Sequence, residues 1–191
     1  SPAGDVIVTS SLTSGQAASV TSASDARLAN VTAATGDVTV MAAGEVSGIG
    51  AGNANLAATS GNLTVTGGTL ARLGMISAGS AIMVTADTLS TDSATAGTSL
   101  SLISDAGNAT LTTGSAGTTA LVQASGLADV TSLTAGSDAT VRGASVNASS
   151  VTATTGALLV DATAGDATLG TGTAGTTGTV QATGNASITT S

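Results

Sequence analysis

The sequence predicts an all-β fold, a right-handed parallel β-helix (β-solenoid) of roughly ten coils with about 19 to 20 residues per coil. Three observations predict it. Short segments alternate apolar and polar residues, glycines recur at near-constant spacing, and the 191-residue chain contains no aromatic side chain. We expect residues 1–191 to form one solenoid domain, built of approximately three-coil blocks of about 58 residues.

The alternation is plainest in Gly36-Asp-Val-Thr-Val40, Gly52-Asn-Ala-Asn-Leu56, Gly61-Asn-Leu-Thr-Val65, Gly107-Asn-Ala-Thr-Leu111 and Gly165-Asp-Ala-Thr-Leu169. Apolar residues at every second position line one face of a strand, whereas a helix would need them three and four apart. Gly followed by Asn or Asp suits a tight corner, because both types tolerate unusual backbone angles.

The glycines supply the period. Gly97, Gly117, Gly136, Gly156 and Gly175 follow at intervals of 20, 19, 20 and 19 residues. A second series, Gly107, Gly126, Gly165 and Gly184, runs between them, with one member replaced near Ser145. Two interleaved series imply at least two strands per coil and a shorter third side. A longer repeat lies above this one: residues Gly107–Thr119 recur almost unchanged as Gly165–Thr177, and Val122-Gln-Ala124 as Val180-Gln-Ala182. Val31-Thr-Ala-Ala-Thr-Gly36 likewise resembles Val151-Thr-Ala-Thr-Thr-Gly156. Extra residues around Glu45 to Gly50 are expected to leave the stack as a bulge or corner loop.

Such short coils bury their apolar side only by stacking on one another. With 41% apolar residues but no Phe, Trp or Tyr, the interior must be narrow to reach normal packing density. Expected inward residues are Val6, Val8, Val20, Val38, Val40, Leu56, Leu63, Val65, Val84, Leu102, Leu111, Val122, Val130, Val141, Val160, Leu169, Val180 and Ile188.

Composition narrows function. Only 7% of residues are charged and Pro occurs once, unlike the charged, weakly apolar make-up of disordered chains. The net charge is −8, and Arg27, Arg72 and Arg142 are the only cations. No basic stripe for nucleic acid can be assembled from them, anionic membrane surfaces are disfavoured, and no apolar run is long enough for a membrane-spanning helix. The absence of Cys removes disulfide and thiol chemistry.

Several motifs invite a site. Gly170-Thr-Gly-Thr-Ala-Gly175 matches a dinucleotide fingerprint, but that reading needs a following helix, and a repeat corner is expected instead. Calcium-binding solenoids repeat clustered Asp ligands; here Asp5, Asp37 and Asp166 follow corner glycines, where Asp is a good turn former. Without His or Cys, and with scattered Arg, no acid–base or nucleophilic centre suggests itself. We therefore expect no catalytic residue, no metal ligand, no cofactor and no enzyme activity. Thr64-Val-Thr66, Thr152-Ala-Thr154, Thr171-Gly-Thr173 and Thr177-Gly-Thr179 suggest ice binding as an alternative, but these four do not share one phase of the coil. N-x-S/T triplets place possible glycosylation at Asn30, Asn62, Asn108, Asn147 and Asn185.

Gly36-Asp-Val-Thr-Val40, Gly61-Asn-Leu-Thr-Val-Thr-Gly-Gly68 and Ala78-Gly-Ser-Ala-Ile-Met-Val-Thr-Ala86 resemble the repeats of filamentous-haemagglutinin-type exoproteins of the two-partner secretion class. The resemblance covers nearly the whole chain but is compositional. It implies a right-handed β-helical shaft of a secreted bacterial adhesin, at the cell surface or in biofilm, with a structural or adhesive role and no enzymatic centre. A polysaccharide-active enzyme is the least expected reading.

The ends complete the expectations. Gly4-Asp-Val-Ile-Val8 and Gly184-Asn-Ala-Ser-Ile188 read as ordinary strands rather than polar caps, with only Pro2 to protect an edge. The opening Ser1-Pro2, without Met, reads as a processed or excised segment. Both ends are expected to meet more solenoid, in a longer chain or by end-to-end stacking of copies.

Overall fold

The computed structural model describes residues 4–190, and Pro2 with its expected edge role lies outside them. The chain is an all-β solenoid of ten stacked coils with every strand pairing parallel. Coils 1 and 2 comprise β1 (Val6–Ser14), β2 (Ala18–Ser22), β3 (Ala26–Ala33) and β4 (Val38–Ala42). Coil 3 holds β5 (Glu45–Ser47), β6 (Ala54–Ala58) and β7 (Leu63–Gly67), and coil 4 holds β8 (Leu70–Ala78) and β9 (Ile82–Ala86). Coils 5 to 7 are β10 (Thr88–Ala96) with β11 (Leu100–Ser104), β12 (Ala109–Ala116) with β13 (Ala120–Ala124), and β14 (Leu127–Ala135) with β15 (Ala139–Gly143). Coils 8 and 9 are β16 (Ser145–Ala153) with β17 (Leu158–Ala162) and β18 (Ala167–Ala174) with β19 (Gly178–Ala182); β20 (Ala186–Thr190) begins coil 10.

Each coil has three sides, although only two strands are usually drawn. The long strand bends at its middle, where two successive residues point outward: Asp92 and Ser93, Thr112 and Thr113, Thr131 and Ser132, Ser149 and Ser150. Before the bend lies face 1, with Ala128 and Val130 inward in coil 7; after it lies face 2, with Leu133 and Ala135 inward. The short strand makes face 3, with Ala139 and Val141 inward.

The buried residues form one continuous cluster through the stack. Fourteen of the eighteen expected inward residues, from Val20 to Leu169, are buried. Val6, Val8 and Val180 face inward but are only partly buried, and Ile188 is 53% exposed. These four lie in the terminal coils, where no further coil covers them.

Coil length varies more than the glycine spacing suggests. On face 2, Ser14 lies opposite Ala33, Ala33 opposite Ala58, Ala78 opposite Ala96 and Ala153 opposite Ala174, so the interval ranges from 18 to 25 residues. The two glycine series are the two corners flanking face 3. Gly97, Gly117, Gly136 and Gly175 share the first, but the equivalent of Gly136 one coil on is Thr154, not Gly156. In the second, Ala144 replaces the missing glycine. A Cβ on Gly117 would collide with the carbonyl oxygen of Gly97 beneath it. The backbone passes too closely there for a side chain.

The 58-residue repeat has a packing cause. Inward Gly114 leaves room for Leu111, Leu133 and Leu100, whose side-chain atoms would lie 2.7, 2.7 and 3.3 Å from a Cβ there. Gly172 does the same for Leu169 and Leu158, at 2.7 and 3.0 Å. Leu100, Leu111 and Gly114 recur as Leu158, Leu169 and Gly172, so the repeat copies a three-sided steric fit.

Apart from one 3-10 turn, Ile49–Ala51, no helix occurs among the described residues. That turn lies in the expected insertion, between faces 1 and 2 of coil 3. Gly50 there has φ 64, a left-handed backbone that favours glycine.

Candidate functional surfaces

The corner Asp and Asn side chains do more than favour a turn. Asp37 Oδ1 accepts the backbone N–H of Asn62 at 2.7 Å, Asp138 Oδ1 that of Ala157 at 2.8 Å, and Asp166 Oδ1 that of Asn185 at 2.8 Å. Asn108 Oδ1 accepts from Leu127 N–H at 2.8 Å, and Asp5 Oδ1 more weakly from Asp25 N–H at 3.4 Å. Each acceptor serves a donor one coil further on, at the corner where the chain enters its next strand and the N–H needs a partner outside the regular ladder.

Corner hydroxyls act in the opposite sense. Thr35 donates to the Gly15 carbonyl at 2.8 Å, Thr118 to Thr98 at 3.0 Å, Thr155 to Gly136 at 2.8 Å and Thr183 to Thr163 at 2.8 Å. The cations are paired or engaged. Arg27 lies 3.3 Å from Asp25 and 3.8 Å from Asp5 on face 1, and Arg142 Nε lies 3.0 Å from Asp161 on face 3. Gln181 Nε2 donates to the other Asp161 oxygen at 3.0 Å. Among the described residues, no three acidic side chains converge.

The residues singled out from sequence scatter over these elements. Gly170 sits at the bend of β18, Gly172 faces inward and Gly175 is a corner residue, with strands on both sides. Thr64 and Thr66 face outward on face 3, Thr171 and Thr173 on face 2, whereas Thr154 and Thr177 are in corners. All five triplet asparagines are exposed. The Asn62 amide also donates to Asp37 at 3.3 Å, and that of Asn147 to Asp129 at 2.9 Å.

One surface is not visible from Thr-x-Thr motifs alone. On the outside of face 2, Ser93, Thr113, Ser132, Ser150 and Thr171 stack in one lane. Thr95, Ser115, Thr134, Thr152 and Thr173 stack in the next. Two hydroxyls per coil therefore recur in register through five consecutive coils. Admitting Ser beside Thr would have exposed the pattern. In coils 2 to 4 the lanes change to Asn30, Asn55 and Met75 beside Thr32, Ala57 and Ser77. A depression of about 360 Å³ lies there and reaches Ser93 and Thr95 in coil 5.

A second surface is the C-terminal end of the core. Leu158, Leu169, Val180 and Ile188 border an apolar opening of about 180 Å³, widened by Gly172 and Gly178. Strands β19 and β20 each have a paired partner on one side only.

The comparisons with known proteins add no identity. The chain matches no family model, no curated protein and no solved structure.

Proposed function

We propose that the chain is a structural shaft, a segment of secreted bacterial surface fibre that spaces or displays an adhesive element. The single observation carrying this reading is the one core cluster that runs from coil to coil through the parallel stack. Stability of such a stack comes from nearest-neighbour contacts, so length extends without redesign. The likeness of its strand motifs to filamentous-haemagglutinin-type repeats supports the same role.

Self-association belongs to this proposal. Half-buried Val180 and exposed Ile188 at one end, and half-buried Val6, Val8 and Leu12 at the other, suit the addition of further parallel coils, because unpaired strand edges template more strands. Immunogold labelling of intact source cells tests the placement. Label on the outer surface or on released fibres is expected; label confined to the cell interior contradicts it.

A further inference from the structure

We propose that the outer side of face 2 in coils 5 to 9 is an ice-binding surface whose ligand is crystalline water. Ten Ser and Thr side chains form two in-register lanes there, with no register shift between β10, β12, β14, β16 and β18. Coils repeat about every 4.8 Å and alternate residues along a strand about every 6.7 Å. The result is a near-rectangular net of hydroxyls. A periodic ligand with a repeat of a few ångströms meets every position of such a net; a flexible polymer does not.

The hydroxyls are available for that ligand. Among the described residues none of the ten side-chain hydroxyls bonds to another protein group. Corner Thr and Ser side chains, by contrast, donate to carbonyls one coil away. A hydroxyl donates one hydrogen bond and accepts two, which matches the needs of water at a lattice edge. Six of the ten are β-branched Thr, stiff at χ1, and in coils 5 to 8 the strands beneath rest on a packed core, so most of the net is ordered in advance.

Charge selects the same ligand. Between the bend and the corner, face 2 carries no charged side chain from Thr13 to Thr173. Asp92 stands at the bend beside Ser93 and accepts from Asn53 Nδ2. Arg27, Arg72 and Asp129 lie on face 1, and Arg142 and Asp161 on face 3. A neutral hydroxyl face complements a neutral hydrogen-bonding lattice. Sugars are the nearest rival, but the chain has no aromatic ring to stack on them.

The test is thermal hysteresis of a millimolar solution of the 191-residue chain. The expected result is a measurable gap between melting and freezing points, with faceted crystals. The double variant Thr134→Lys, Thr152→Lys should lose the gap several-fold. Thr134→Val, Thr152→Val should lose it too with less risk to folding, and Thr140→Lys on face 3 should retain it. Circular dichroism confirms that each variant keeps the β spectrum. No gap in the unaltered chain overturns the proposal, as does a gap that survives both face 2 variants. Binding to insoluble polysaccharide that those variants abolish, with no gap, assigns the face to sugars instead. The shaft reading stands apart from this result, because it rests on the core and not on the outer lanes.

Discussion

Coils 3 and 6 occupy the same stack but treat sequence differently. From Ala96 to its partner Ala116 the chain needs 20 residues, and the corner that follows each of them stacks Gly97 under Gly117. From Ala33 to its partner Ala58 it needs 25. The extra residues leave at the bend between faces 1 and 2, where Gly48 N–H donates to the Gly52 carbonyl at 2.9 Å and closes a loop. Asn53 Nδ2 ties that loop to Asp92 Oδ2 at 2.6 Å. Inside, the register slips by one residue between Ala54 and Leu56 against the next coil, at the bend, yet beyond it Leu56 lies between Val31 and Ile76. Extra chain is accepted outside a bend and refused inside a lane.

The largest effect expected from this contrast is in side-chain removal. Leu111→Ala in coil 6 should cost roughly 3 kcal/mol of unfolding free energy, because a fully buried side chain leaves a cavity. Ile49→Ala in the coil 3 loop, at 41% exposure, should stay within about 0.5 kcal/mol of the parent. Urea melts of the two variants measure the difference. Comparable losses would mean that the loop is part of the core after all.

Adding a methyl sharpens the comparison. Gly117→Ala must push apart two backbones and should cost about 2 kcal/mol. Gly50→Ala has open space around its Cβ and meets only the left-handed backbone, a cost of about 1 kcal/mol. Equal melting temperatures for the two would contradict the close approach at the corner.

A smaller change should run the other way. Thr91 sits among the inward residues of face 1, 1% exposed, with no partner for its hydroxyl. Thr91→Val keeps the shape and removes the unsatisfied group, so stability should rise by about 1 kcal/mol. A loss on this substitution would place a hydrogen-bonded water at the site.

The sequence carries faces 1 and 3 in plain alternation, as in Gly107-Asn-Ala-Thr-Leu111, and both corner series in its glycines. Face 2 is harder to read for two physical reasons. Its inward residues are often as small as Ala94 and Gly114, giving little hydropathy contrast, and the bend inserts a second outward residue that shifts the phase of two. The hydroxyl lanes lie beyond that slip. Gly156 misleads for a related reason, since a corner accepts one or two extra residues without disturbing the strands. The cross-coil acceptor role of Asp138 and Asp166 depends on stacking, which local turn preferences do not encode.

The central claim is a shaft whose length is additive in coils. Residues 107–164 form one repeat block, because Gly126, Ala144 and Gly165 follow Gly107 at successive turns of the same corner. Inserting a second copy of this block after Ala164 should add three coils. Small-angle X-ray scattering should then show a rod of unchanged cross-section, longer by about 14 Å. An unchanged length, or a thicker particle with an unfolded insert, would contradict the account.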